Sequence, residues 1–196
     1  IMYGMGIGKL AQTLGDIPFD EAKTLRNEYD EKVPFIRALA SAVMKAASKR
    51  SEIKTMLGRK CRFPMRELKG YSKEMKKFIH VDKLEEQWRD ILETPEDQRD
   101  RNWRSMNPVR YQVAFVYKAL NRLIQASAAD QTKQAMKDCM DSGHWPMLTV
   151  HDELCFSIES DEQVAEIRGL MENCVPALTI PSKVDVGIGE NWGLAK

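Results

Sequence analysis

Two short apolar runs flank a polar break at His151-Asp152-Glu153, and this pattern constrains the fold more than any other stretch of the chain. The apolar positions on the two sides of the break are Met147, Leu148, Val150, Leu154, Phe156 and Ile158. Apolar residues that alternate with polar ones are typical of strands, because successive side chains of a strand point to opposite faces. The stretch therefore predicts two antiparallel strands joined by a tight turn.

The predicted turn carries an imidazole and two adjacent carboxylates, those of Asp152 and Glu153. Neighbouring anions repel each other, so the pair brings no stability by itself. A divalent cation would neutralise it, and magnesium prefers oxygen ligands of this kind. The alternative is an ordinary polar turn, in which the aspartate accepts local backbone hydrogen bonds. The apolar frame on both sides favours the metal site, because a rigid hairpin fixes its ligands in position.

Length and composition leave several classes of function open. The 196 residues are 43% hydrophobic and 30% charged, which suits one large globular domain or two small ones. A net charge of +1 neither demands nor excludes a nucleic-acid partner. The four cysteines lack C-x-x-C spacing, which indicates reduced residues of an intracellular protein. We see no signal peptide and no apolar run of membrane-spanning length. The chain opens with Ile1 inside an element already under way, which suggests a fragment.

The first third of the chain is predicted to be helical and to end in a hairpin. Glycines at positions 4, 6 and 8 lack the preceding strand of a phosphate-binding loop, so a flexible turn is the better interpretation. Periodicity predicts helices over residues 7–14, 20–29 and 33–48, and then a hairpin over 53–64 that turns near Gly58.

A basic stripe accompanies the predicted hairpin. Its cations, against the single anion Glu52, are Lys45, Lys49, Arg50, Lys54, Arg59, Lys60 and Arg62. Such a stripe suits phosphate binding, although a solvated helix end and hairpin would have the same composition. Residues 65–106 instead mix charges of both signs around one amphipathic segment, 81–92, which is typical of a solvated insertion.

A long helix is predicted from the cap Asn107-Pro108 to Asp141. Asn121 and Gln125 share one face of it, because they are four residues apart. Beside a run of small residues, two amides suit contacts with base edges in a minor groove. The alternative, which is the more common one for isolated Asn and Gln residues, is that they simply face solvent. A capping box at Ser160 then predicts a further helix, and alternation over residues 180–188 predicts a last strand. The expected fold class is α+β, an antiparallel sheet backed by helices.

Five separate stretches follow one another in a recognisable order: Tyr3-Gly4-Met5, Leu57-Gly58-Arg59-Lys60, Asn121-Arg-Leu-Ile-Gln125-Ala-Ser-Ala-Ala-Asp130, Val150-His151-Asp152-Glu153-Leu154 and Val186-Gly-Ile-Gly-Glu-Asn-Trp192. In this order they resemble the C-terminal part of family A DNA polymerases. The resemblance covers about four fifths of the chain, residues 65–106 being the exception, and that insertion is more in the style of phage enzymes than cellular ones.

The resemblance implies a role for each matching residue. Asp152 would be a catalytic metal ligand, Glu153 its acidic neighbour near the metals, and His151 would lie near the primer terminus. Tyr3 and Gly4 would lie near the templating base and the incoming nucleotide. The implied DNA contacts are Asn121, Gln125, Arg59, Lys60, Arg62, Lys118 and Arg122.

The implied organisation is the C-terminal part of a fingers subdomain with its basic hairpin over 1–64, a charged insertion over 65–106, and the C-terminal part of a palm subdomain over 107–196. The palm would be an antiparallel sheet with the carboxylate hairpin packed on helices. Several family features are missing from these residues: the palm strand with its own aspartate, the thumb, and the fingers residues that grip the triphosphate. Ala126 replaces the usual glycine. Tyr117 replaces an arginine, for which Lys118 or Arg122 would substitute.

The resemblance implies template-directed DNA synthesis, a nucleotidyl transfer that uses two magnesium ions. The expected partners are primer-template DNA, dNTPs and the missing N-terminal portion, without which the chain would be inactive. No membrane partner is expected, and the implied location is the cytoplasm of a bacterium or a phage-infected host. One alternative is a non-catalytic DNA-binding subunit or remnant. A metal-dependent phosphohydrolase using His151 and Asp152 is the other, but it would need further ligands, and neither His80 nor His144 lies in a paired motif.

Overall fold

A computed structural model describes residues 5–70 and 77–195. The predicted nucleotide contacts Tyr3 and Gly4 lie outside the described residues. The helices are α1 (Ile7–Thr13), α2 (Phe19–Lys32), α3 (Pro34–Arg50), α4 (Val81–Glu93), α5 (Ala119–Asp141) and α6 (Asp161–Asn173). The strands are β1 (Glu52–Lys54), β2 (Lys60–Arg62), β3 (Met65–Leu68), β4 (Phe78–His80), β5 (Tyr111–Val113), β6 (Pro146–Val150) and β7 (Glu153–Phe156).

The strands form small antiparallel sheets, so the α+β class is confirmed. Two are hairpins, β1–β2 and β6–β7, and the third has the order β4-β3-β5. The chain divides into two compact units, Ile1–Ile124 and Gln125–Lys196. Nothing in the structure tests the predicted division into fingers, insertion and palm, which stays a prediction.

The first unit has its core where α3 meets the β1–β2 hairpin. Pro34 occupies the first turn of α3, where its missing N–H costs nothing, and the helix ends at Ser51, whose backbone is left-handed with φ 57°. The buried residues of this core are Val43, Ala47, Ile53, Phe63, Val113 and Ala119. Arg66 ties the hairpin to the end of α3 by donating to Ser51 Oγ (3.0 Å) and to the Phe63 carbonyl (2.8 Å). Burial lowers the pKa of this guanidinium.

The helix predicted from Asn107 begins later, so that prediction is wrong for its first part. Asn107 does accept a hydrogen bond from the Val109 N–H (3.0 Å), but it caps a single 3₁₀ turn, Pro108–Arg110. The next residues form β5 and pair with β3, and α5 starts only at Ala119. Helical periodicity cannot reveal that a distant strand will take these backbone hydrogen bonds.

Residues 65–106, predicted to be a solvated insertion, supply two strands that the sequence pattern did not predict. β3 is the central strand of its sheet and pairs with both β4 and β5. The amphipathic segment is helical as predicted, and Leu84 of α4 is fully buried. Trp88 stacks on Trp103, with ring centroids 5.8 Å apart.

The second unit packs α5, α6 and the β6–β7 hairpin around a smaller core. Ala135, Cys174 and Val175 are its buried members, and Leu154 and Met171 pack against them. Burial raises the pKa of the Cys139 and Cys174 thiols, and all four cysteines are free, as predicted. The capping box is confirmed in part: Ser160 Oγ accepts from the Gln163 N–H (3.3 Å).

The strand predicted at 180–188 is wrong, because the structure assigns no strand to residues 176–195. Polar contacts hold this segment instead: Gln131 Nε2 donates to Ser182 Oγ (2.7 Å), and the Val184 N–H donates to Glu172 Oε1 (3.1 Å). A strand exists only when a neighbour pairs with it, and none of the described strands does so here. The alternating pattern could not supply that information.

Candidate metal and nucleic-acid sites

The carboxylates lie at the tight turn between β6 and β7, as predicted. The register pairs Val150 with Glu153, so His151 and Asp152 alone form the turn. His151 has φ 54°, a left-handed conformation that two-residue hairpin turns require because it matches the twist of the strands. Asp152 therefore lies at the tip and Glu153 on the first residue of β7, and both are exposed.

These two carboxylates fit only part of a magnesium site. They are the hard oxygen donors that the cation prefers, and solvent reaches both. Magnesium takes about six oxygen ligands, however, and several of these are often waters. Within residues 5–70 and 77–195 no group of three or more potential metal-ligating side chains occurs. The described part of the chain thus offers one adjacent pair and no complete site.

The hairpin is anchored on one side by Leu154, which packs against the core of its unit. At the other end His144 precedes β6. Its backbone N–H donates to the Cys139 carbonyl (2.8 Å), and its buried Nε2 lies 3.1 Å from Glu166 Oε2 of α6 without forming a hydrogen bond. Sequence patterns did not reveal this contact, because Glu166 is distant along the chain.

The two predicted groove-reading amides both lie on α5, but in different environments. Gln125 is exposed. Asn121 is half-buried, and its Oδ1 is buried without a hydrogen-bond partner among the described residues. The small residues Ala128 and Ala129 are exposed, which leaves room for another surface beside the helix. The contact of these two amides with a minor groove stays a prediction.

Of the predicted basic contacts on the β1–β2 hairpin, Arg59, Lys60 and Arg62 are all exposed. The Lys60 ammonium lies 3.4 Å from Glu52 Oε1, a surface ion pair that is readily exchanged for another anion. The turn beneath them is rigid, because Thr55 Oγ1 accepts from the Arg59 N–H (2.9 Å). The hairpin therefore presents its cations from a fixed backbone.

The two basic residues near the start of α5 have contacts within the chain. The Arg122 guanidinium donates to the Arg62 carbonyl (2.6 Å) and lies 4.8 Å from the centre of the Phe63 ring. This arrangement gives Arg122 a structural role at the end of β2, which the sequence did not reveal. The Lys118 ammonium lies over the Phe115 ring, 5.1 Å from its centre. The DNA contacts of both residues stay predictions.

The whole chain resembles a solved polymerase. The POL domain of Pol1 from M. smegmatis, whose structure is a complex with DNA primer-template and dNTP, matches with a TM-score of 0.65 and 28% identity over 99% of this chain and 29% of that one. The fold is thus that of a polymerase domain.

The chain belongs to DNA polymerase family A, because the model of that family matches residues 1–194. A DNA-directed DNA polymerase of Pseudomonas phage M6 is 35% identical over 88% of this chain and 20% of its own length. The thermostable DNA polymerase I of Thermus aquaticus is 29% identical over 100% of this chain and 20% of its own length. The chain thus spans about a fifth of the length of these relatives. Across the described residues, no helix is long and apolar enough to cross a membrane.

Proposed function

We propose that this chain supplies the metal-binding hairpin and a DNA-contacting helix for template-directed DNA synthesis, in which a primer 3′-hydroxyl attacks a dNTP and pyrophosphate leaves. The observation that carries the proposal is the exposed pair Asp152 and Glu153, held at a two-residue turn in a chain of DNA polymerase family A. The resemblance to a polymerase solved with primer-template and dNTP supports it.

In this proposal Asp152 is the metal ligand, Glu153 lies beside it, and His151 holds the backbone turn near the primer terminus. Bound magnesium ions would favour ionisation of the 3′-hydroxyl and stabilise the leaving pyrophosphate. Two such ions need more carboxylates than one turn provides, and among the described residues no group of three or more potential metal-ligating side chains occurs. We therefore propose that a carboxylate from another polymerase segment, in the same polypeptide or in a partner subunit, completes the site.

The DNA-binding part of the proposal rests on α5 and the β1–β2 hairpin. Gln125 and Asn121 would meet the hydrogen-bond acceptors that all base pairs present in the minor groove. Arg59, Lys60 and Arg62 would contact the backbone phosphates, which carry no sequence information and so suit a general polymerase. Tyr3 and Gly4 would contact the nucleotide and the templating base.

The decisive experiment compares Asp152→Asn with the wild type in the complete protein, with Asp185→Asn as a matched exposed aspartate outside the turn. Because a metal ligand supplies several kcal/mol of transition-state stabilisation, we expect primer extension to fall about 10²- to 10⁴-fold, while primer-template binding changes less than about twofold. The Asp185 variant should keep normal extension.

Two results would contradict this assignment. Equal loss of binding and rate would give Asp152 a structural role. Unchanged extension, or a wild type that binds DNA without extending primers, would favour the alternative of a non-catalytic DNA-binding subunit or remnant. A further expectation is that these 196 residues alone do not polymerise. Magnesium-dependent primer extension by the purified chain would show that no further carboxylate is needed.

A further inference from the structure

Three aromatic rings form a connected surface in the first unit, which we name the aromatic platform: Phe78, Phe115 and Tyr117. Phe78 begins β4, Phe115 lies in the turn after β5, and Tyr117 lies in the 3₁₀ turn Val116–Lys118. The ring centroids of Phe78 and Phe115 are 4.5 Å apart, and those of Phe115 and Tyr117 are 6.5 Å apart. The rings come from segments far apart in sequence, so only the fold assembles them.

The outer two rings of the platform face solvent. Tyr117 is 62% exposed and Phe78 is 44% exposed, while Phe115 is half-buried between them. Phe115 has φ 61°, a left-handed backbone that a bulky residue rarely adopts, and such strain persists only where the surrounding structure enforces it. The turn therefore keeps the Phe115 ring half-buried, between the two exposed rings.

A cation accompanies the rings. The Lys118 ammonium lies 5.1 Å from the centre of the Phe115 ring and 5.7 Å from that of Tyr117. On the neighbouring strand β3, Glu67 pairs with Phe78. This glutamate is buried and accepts a hydrogen bond from Gln112 Nε2 (2.8 Å). The charged group that contacts the rings is therefore the Lys118 ammonium.

Exposed aromatic rings beside an ammonium match the two recognisable parts of a nucleotide. A base stacks on an aromatic ring whatever its identity, and a lysine pairs with the neighbouring phosphate. Bases inside a duplex have both faces covered by their neighbours, so the platform favours an unpaired base of a single strand. Lys118 also lies three residues before Asn121, which continues the surface proposed to contact DNA.

We propose that the aromatic platform binds the single-stranded part of the DNA template, with one unpaired base stacked on Tyr117 beside Phe78 and the adjacent phosphate paired with Lys118. This inference rests on the proposed function, because it takes DNA to be the substrate. It adds a binding site for the strand beyond the duplex.

The test measures dissociation constants of the complete protein for two DNAs, a primer-template with a single-stranded 5′ template overhang and the same duplex with blunt ends. Tyr117→Ala should weaken overhang binding about 5- to 50-fold, because one stacked base is lost, and blunt binding less than about twofold. Phe78→Ala should act in the same direction, and Tyr117→Phe should restore overhang binding. The matched control is Phe35→Ala, a ring that is 66% exposed on α3 and outside the platform.

Salt dependence separates the rings from the cation. Lys118→Gln should reduce the slope of log affinity against log salt by about 0.7 on the overhang DNA, the value for one phosphate on a single strand. Tyr117→Ala should leave that slope unchanged while lowering the affinity. A Tyr117→Ala variant that changes the slope but not the affinity at a fixed salt concentration would contradict stacking.

Equal weakening on overhang and blunt DNA by Tyr117→Ala would overturn the proposal, because the ring would then support the fold or the duplex. Unchanged overhang binding would also overturn it and would leave the platform to a protein partner. Both results are distinct from failure of the proposed function, which would appear as a wild type that does not extend a primed template. A wild type that extends normally, with a Tyr117→Ala variant that binds normally, defeats only the platform.

Discussion

Two β-hairpins among the described residues, β1–β2 and β6–β7, carry opposite charges. The basic hairpin, β1–β2, carries exposed cations, and the acidic hairpin, β6–β7, carries exposed carboxylates. Both turn through a residue with left-handed backbone, Gly58 with φ 86° in the first and His151 with φ 54° in the second. They differ in their support, because the basic hairpin is built into a core whereas the acidic hairpin keeps much apolar surface exposed.

The difference lies in how deeply the apolar side chains of the two hairpins are buried. Phe63, next to β2, is only 3% exposed, and Ile53 of β1 is also buried. In β6, Met147 is 75% exposed and Leu148 is 43% exposed, and Leu154 is the hairpin residue that packs against the nearby core. The geometry of the basic turn is thus secured by its own unit, while that of the acidic turn depends on fewer contacts.

The largest effect should come from emptying the basic hairpin's core. Phe63→Ala should reduce the free energy of unfolding by about 3–5 kcal/mol, because it leaves a cavity and also removes the ring beneath Arg122. Leu148→Ala in the acidic hairpin should cost less than about 1 kcal/mol, since that side chain is already half in solvent. Hydrogen exchange of both hairpins in the complete protein measures this. Similar losses of unfolding free energy in the two variants would show that the hairpins do not differ in their support.

Removing positive charge from the basic hairpin should weaken DNA binding without changing the rate of primer extension. The double variant of Arg59→Gln and Lys60→Gln should weaken primer-template binding about 10-fold and reduce the salt slope by about 1.8, because two phosphate contacts are lost. The extension rate with saturating DNA should stay unchanged, in contrast to the Asp152 variant.

Fluorescence anisotropy across a salt series measures this effect of charge. Arg37→Gln, an exposed arginine on α3 and outside the basic hairpin, is the control. An unaltered salt slope in the double variant would remove the basic hairpin from the DNA surface.

The two turns themselves should respond differently to substitution. Gly58→Ala should cost about 1 kcal/mol, because an L side chain is strained at that φ although the added Cβ meets nothing within 4 Å. His151→Gly should change stability by less than about 0.5 kcal/mol, since relief of strain offsets the greater freedom of the unfolded chain. Denaturant titration of each variant gives both values. A large loss on His151→Gly would mean that the imidazole itself holds the turn.

The smallest effect should appear on acidification of the unit that carries the acidic hairpin. The Val184 N–H and the Arg168 side chain donate to Glu172 and hold the pKa of this carboxyl below its usual value. A lowered pKa stabilises the fold above the ordinary glutamate pKa, about 4.3, and that contribution is lost as the pH falls through the lowered value. Exchange at residues 182–188, corrected for intrinsic rates, should therefore increase below about pH 4.

Glu172→Gln at neutral pH should reproduce this loosening, while Glu190→Gln, an exposed carboxylate in the same unit, should not. Exchange at 182–188 that is independent of pH in the wild type would show that Glu172 does not hold the segment.

Some parts of the fold and site could be predicted because their causes are local. Alternating apolar residues around His151-Asp152-Glu153 were enough to predict the β6–β7 hairpin and the place of its carboxylates. The same holds for the turn at Gly58 and the cap at Ser160. In each case the determining interaction joins residues close together in sequence.

Other parts required the tertiary structure because their causes are distant. Residues 111–113 became a strand, since β3 took their backbone hydrogen bonds, and residues 180–188 did not, since no described strand pairs with them. Arg122, predicted as a DNA contact, also supports the end of β2, and three rings from separate segments meet at the aromatic platform. The sequence by itself thus determined where the chain turns and which turn carries the carboxylates. The tertiary structure decided which strands find partners and which side chains meet, because those choices depend on contacts between residues far apart in the chain.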